Sequence, residues 1–128
     1  PDFSGRRILV VEDNELNREI AEEILRCMDT EVESACDGAR GLAMFEESAV
    51  GHYDAVLMDV QMPVMNGYQA TKAIRQLSRP DAGTVPIIAM TADAFAEDVA
   101  AAKAAGMTAH LANSLDIPAM MQILSKYL

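Results

Sequence analysis

Apolar positions along the chain follow two alternating rhythms. Short apolar or β-branched runs predict strands at "RILVV" (7–11), "EVESA" (31–35), "AVLM" (55–58), "PIIAM" (86–90) and "AHL" (109–111). Longer amphipathic stretches predict helices over 14–27, 39–48, 67–77, 94–104 and 117–127. Three of the strands are almost wholly apolar, as strands covered on both faces of a parallel sheet are. Asn14 and Asp116 are the expected N-caps of the first and last helices, and Gly106 the stop of the fourth. A strand–helix unit repeated five times, without low-complexity tracts or a fixed-period repeat, predicts an α/β fold. Its form is a doubly wound (βα)5 arrangement, an open five-stranded parallel sheet with helices on both faces.

In such sheets ligands gather at the carboxyl ends of the strands. There the chain places Glu12 and Asp13 after the first strand, Asp59 after the third and Thr91 after the fourth. The stretch "DAVLMDVQMP" (54–63) is the sharpest case, because the apolar run Ala55–Met58 ends abruptly in a carboxylate and Pro63 then turns the chain away. An unpaired buried charge is costly, so an acid at the lip of a core strand is either solvated or used. Singly, each acid reads as well as a helix cap or solvated loop residue as it does as part of a site. Together on one rim they repel one another unless a cation joins them, and Mg²⁺ binds through a few carboxylates plus waters and phosphate oxygens. Gly67 either permits a close approach or starts the third helix.

Composition narrows the partners. With 128 residues the chain fits one compact domain spanning 1–128. Ten Lys and Arg against twenty Asp and Glu give a formal charge of −10, which argues against nucleic acid and anionic lipid and for a basic partner surface or a bound cation. Cys27 and Cys36 lack any CxxC or His-rich ligand spacing and read as buried free thiols, in keeping with a reducing cytoplasm. The start, "PDFSGRR", has no apolar signal core, and no later run is long enough to cross a bilayer. A cytoplasmic location is expected, with any membrane anchor lying in a larger parent chain. His52 reads as a solvated turn residue, and the nine methionines as core filling, except Met62 and Met65 beside the rim.

Four stretches, "ILVVEDNELNREI", "YDAVLMDVQMPVMNGYQATKAIR", "PIIAMTADAF" and "AAGMTAHLA", make the chain resemble, over essentially its whole length, the receiver domain of two-component response regulators. The wording is most similar to receivers at the C-terminal end of hybrid sensor histidine kinases. The resemblance implies a flavodoxin-like receiver fold, excised from a hybrid kinase. It implies that Asp59 accepts a phosphoryl group from the phosphohistidine of a histidine kinase or histidine phosphotransfer domain. Glu12, Asp13, Asp59 and the backbone carbonyl of Gln61 would arrange Mg²⁺. The Thr91 hydroxyl would bond a phosphoryl oxygen, and the ring of His110 would shift inward. The Ala-rich fourth helix, "VAAAKAAG", with the fifth strand and last helix, would form a docking or weak dimer surface.

One segment departs from the family. In "HLANSLD" (110–116), Asn113 and Ser114 stand where receivers carry Lys followed by Pro. The amide supplies no cation, and its short side chain is not expected to span the gap to a phosphoryl group. The peptide bond between them is expected to be trans. Among the other basic residues only Arg18, one turn into the first helix, comes near the rim, and it is expected to point outward. Two function classes remain: a slow or impaired phospho-acceptor, and a degenerate receiver acting as a phosphorylation-independent interaction module. Glu12, Asp13, Asp59 and Thr91 favour the first. A flavodoxin-like cofactor binder lacks the Gly-rich phosphate loop after the first strand.

Overall fold

A computed structural model of the chain describes residues 4–60, 62, 65–90, 96–111 and 117–128. Strand and helix alternate throughout: β1 (Arg7–Val11), α1 (Glu15–Cys27), β2 (Glu31–Ala35), α2 (Gly38–Glu47), β3 (Ala55–Asp59), α3 (Gly67–Arg75), β4 (Ile87–Met90), α4 (Ala96–Ala105), β5 (Ala109–Leu111) and α5 (Ile117–Tyr127). The strands form one parallel sheet in the order β2-β1-β3-β4-β5.

Side-chain alternation splits the core into two layers. Leu9 and Val11 of β1, Val56 and Met58 of β3, and Ile87 and Ala89 of β4 face one side, where they meet Phe45 of α2, Ala70 and Ile74 of α3 and Ala102 of α4. Ile8, Val10, Ala55, Leu57, Ile88 and Met90 face the other, against Ala21 and Leu25 of α1 and Met120 and Leu124 of α5. Both faces are covered, which is why β1, β3 and β4 need apolar residues at nearly every position.

Local chemistry sets the element ends. The Asn14 side chain accepts from the Asn17 N–H at 3.0 Å, capping α1 as expected. Two further caps, Asp37 before α2 and Asn66 before α3, have no counterpart in the sequence reading. Asn66 forms a reciprocal capping box with Gln69. The helix predicted over 67–77 stops at Arg75, because the Gln76 N–H turns back onto the carbonyls of Lys72, Ala73 and Ile74. Gly106, at φ +101°, closes α4 with the Met107 N–H on the Ala102 carbonyl. The expected cap Asp116 lies outside the described residues.

Two arginines brace the end of the sheet where strands begin. Arg75 donates to the carbonyls of Gly106, Ala82 and Val85, tying α3 to the turns that lead into β4 and β5. Burial lowers its pKa from the usual arginine value. Arg79 is held by Asp81 at 2.6 Å and donates to the carbonyls of Phe45, Ser48 and Ala49, so it caps the C-terminus of α2 from outside the helix.

Both cysteines are free, but neither is buried, contrary to the reading from sequence. Cys27 is the last residue of α1 and Cys36 lies one residue beyond β2, and both are exposed. No described helix is long and apolar enough to cross a membrane.

Candidate metal and phosphoryl-acceptor site

The acids converge because of register. Val11 lies opposite Met58, so one step further along each chain brings Glu12 level with Asp59. The same alternation that turns Val10 and Leu57 to the α1/α5 layer carries Glu12 and Asp59 to that side. Asp13 follows Glu12 immediately before the Asn14 cap, which pins the turn between β1 and α1. As a result, one carboxylate oxygen from each of Glu12, Asp13 and Asp59 lies within 4.8 Å of the other two. Glu12 is buried, Asp59 half-buried and Asp13 exposed.

The donor set fits a hard divalent cation such as Mg²⁺. All three ligands offer carboxylate oxygen, and the exposed edge leaves room for the waters that Mg²⁺ retains. Among the described residues neither cysteine nor histidine joins the group, so nothing in it selects a softer metal.

The surrounding backbone is held closely. The Glu12 N–H donates to the Ala35 carbonyl at 3.1 Å and the Val60 N–H to the Met90 carbonyl at 3.1 Å. Asp59 is the register partner of Met90, the last residue of β4. Gly67 serves both of its expected roles: it opens α3, and a Cβ there would fall on the Asp59 carbonyl oxygen and 2.9 Å from the Val60 Cα. Arg18 does not point away from the rim, as the sequence suggested. Its Nη1 donates to the Glu12 carbonyl at 3.0 Å, fastening α1 to the turn that carries two of the three acids. Met62 and Met65 are half-buried against the core layer shared by α2, α3 and α4.

Of the other residues singled out from sequence, Gln61, Thr91, Asn113 and Ser114 lie outside the described residues, as does the peptide bond between the last two. His110 is half-buried on β5, paired in register with Ala89.

His52 is not the solvated turn residue expected. It joins a second titratable cluster at the beginning of β1, where its Nε2 lies 2.8 Å from Glu33 Oε2 and its Nδ1 3.0 Å from Arg7 Nη1. A guanidinium only donates, so Nδ1 faces the Arg7 donor while Nε2 faces the Glu33 carboxylate. Burial pushes the Glu33 carboxyl up, but hydrogen bonds from His52 and Tyr53 outweigh it and hold the pKa below the ordinary value. Burial, then the bond to Glu33, pushes the Tyr53 hydroxyl up to about 12. These contacts join residues 19 to 45 positions apart and tie β1 and β2 to the turn before β3.

The fold and its acidic rim define a phosphorelay receiver, and the comparisons with known proteins agree. Residues 8–125 match the family model described as the response regulator receiver domain, and the chain belongs to that family. It is 35% identical to the sensor histidine kinase RcsC of Escherichia coli over 126 residues, and 35% identical to hybrid signal transduction histidine kinase L of Dictyostelium discoideum over 122 residues. These alignments take in 98% and 94% of the chain but only 12% and 7% of the two relatives, so the similarity is confined to receiver regions. Among solved structures, the chemotaxis protein CheY4 of Vibrio cholerae matches with a TM-score of 0.87 at 29% identity, covering 96% of this chain and 98% of that one. The receiver domain of a Pseudomonas aeruginosa sensor histidine kinase, 36% identical, matches with a TM-score of 0.85, covering 97% of this chain and 98% of its own; it is described with a magnesium ion coordinated in its active-site cleft.

Proposed function

We propose that this receiver takes a phosphoryl group from a phosphohistidine onto Asp59, as the receiver region of a hybrid sensor histidine kinase. The observation that carries the reading is the meeting of the Glu12, Asp13 and Asp59 carboxylates at the ends of β1 and β3. An Asp59 carboxylate oxygen attacks phosphorus and forms the new O–P bond as the N–P bond breaks; the departing imidazole takes up a proton from solvent. Mg²⁺, held by Glu12, Asp13, Asp59 and the Gln61 carbonyl, would supply positive charge to the phosphoryl oxygens. Asp59 is fixed for attack by its pairing with β4 and by Gly67 behind it. Thr91, next in sequence after Met90, would then donate its hydroxyl to a phosphoryl oxygen.

Exposed apolar residues beside the rim support docking of a histidine-bearing kinase or phosphotransfer domain. Leu16 in the first turn of α1 and Ile117 at the start of α5 are 64% and 47% exposed, and both helices lie on the same face of the sheet. The surface formed by α4, β5 and α5 would serve for weak dimer contacts.

Asn113 in place of lysine favours an acceptor that reacts slowly, and the same substitution supports the second reading, a receiver that signals through contacts alone. Incubation with Mg²⁺ and a small acyl phosphate, followed by intact mass measurement, separates the two. One phosphoryl group should be gained by the parent protein and none by Asp59→Asn. If the parent gains none at saturating donor and Mg²⁺, the second reading holds.

A further inference from the structure

Gly38 is the first residue of α2, and its backbone is not in the left-handed region that favours glycine. Glycine is a poorer helix residue than alanine, so its presence here needs another cause. The cause is steric. A Cβ at position 38 would fall on the Met65 carbonyl oxygen, 3.1 Å from the Met65 carbonyl carbon and 3.2 Å from its Cβ. Most of this is backbone, which cannot rotate aside as a flexible side chain can.

Met65 belongs to the segment that leaves Asp59 and enters α3. At its root, Gly67 abuts the Asp59 carbonyl and donates to the Val60 carbonyl at 3.0 Å. Just beyond Met65, the Asn66–Gln69 capping box fixes the entry into α3. The Met65 side chain, half-buried against the core layer that includes Phe45 of α2, ties the segment to that helix.

We propose that Gly38 is a positioning residue for the acidic site: by admitting the Met65 backbone against the first turn of α2, it sets the place of Met65 and, through Asn66 and Gly67, of the Asp59 backbone, and hence the affinity for Mg²⁺. The inference rests on the metal reading given above. Mg²⁺ demands near-ideal octahedral geometry, so a displacement of a few tenths of an ångström at Asp59 is felt in binding. In Gly38→Ala the Met65 backbone must move off the helix, and the movement passes through Asn66 to Gly67, which abuts the Asp59 carbonyl.

Mg²⁺ titration followed by amide NMR shifts, in the intact chain, tests this. Gly38→Ala should weaken Mg²⁺ by about tenfold, the scale seen when a group that orients a metal ligand is disturbed. Leu25→Ala, in the opposite core layer near the C-terminal end of α1, should loosen the fold yet leave the affinity within about twofold, since that layer does not include Met65. Wild-type affinity in Gly38→Ala, or equal weakening in Leu25→Ala, overturns the proposal alone. Absence of Mg²⁺-dependent shifts at Asp13 and Asp59 in the parent protein overturns the metal reading and this proposal with it. Should Gly38→Ala fail to fold, the parent still decides: the Gly38 and Met65 amides should move with the Asp59 midpoint while Ser48, past the end of α2, stays still. Silence at Gly38 and Met65 would sink the idea.

Discussion

Gly67 closes so tightly on Asp59 that any side chain at position 67 would displace the Asp59 carbonyl. Both atoms involved are backbone, so relief must come from movement of the β3 end or of α3. Gly67→Ala should therefore destabilise the protein by about 2 kcal/mol, a usual cost of overpacking, and weaken Mg²⁺ binding as well. Urea denaturation with and without Mg²⁺ checks both. A stability loss with unchanged Mg²⁺ affinity would mean that the strain is absorbed by α3.

Arg79 and Asp81 should make stability fall in acid. The hydrogen bond from Arg79 holds the Asp81 carboxyl below the usual aspartate value, with a further bond from the Gly51 N–H. A lowered folded-state pKa contributes stability above the unfolded value of about 4, and that contribution is lost as pH falls through the lower folded value. Arg79→Ala, which leaves a largely buried carboxylate and several α2 carbonyls without their donor, should cost about 3 kcal/mol at neutral pH. Its stability should also vary less than that of the parent between about pH 4 and pH 2. Chemical denaturation across that range measures both.

Thr71 on α3 is fully buried, and among the described residues its hydroxyl has no hydrogen-bond partner. Valine has nearly the same shape without the unsatisfied group. Thr71→Val should raise stability by about 1 kcal/mol, read as an upward shift of the thermal midpoint. A fall would reveal a partner for the hydroxyl.

Restoring the cation should speed the chemistry. A hydrogen bond to a charged group contributes roughly 1.5 to 3 kcal/mol, so Asn113→Lys, best combined with Ser114→Pro, should raise the phosphorylation rate by about 10- to 150-fold. Rates are compared at matched Mg²⁺ and donor. If the double variant reacts no faster, position 113 does not limit the reaction.

Much of this architecture was legible in the sequence, because the features that carry it are local. Apolar runs such as Ile8–Val11 and Ala55–Met58 mark buried strands whatever surrounds them, and Glu12, Asp13 and Asp59 stand out by interrupting those runs. What escaped depends on residues brought together from afar. His52 looked solvated because Arg7 and Glu33 lie 45 and 19 positions away. Arg79 gave no sign of capping a helix that ends some thirty positions earlier. Arg18 was expected to point outward from helical position alone, whereas a long guanidinium side chain can fold back to a strand-end carbonyl. The cysteines misled for the opposite reason: the residue type is commonly buried, but Cys27 and Cys36 sit just where elements end.

The seam between β1 and β3 joins Arg7 to Asp54, 47 positions apart, and the three acids straddle its far end. Closing so long a loop before any contact rewards it makes such pairings slow, and the carboxylates cannot meet until the strands have zipped to Val11 and Met58. A cation that needs all three would recognise the completed sheet and none of its precursors. Its influence should then fall on the escape from the native state: in stopped-flow experiments Mg²⁺ should lower the unfolding rate while the refolding rate stays nearly constant, making the ion a latch on a finished sheet.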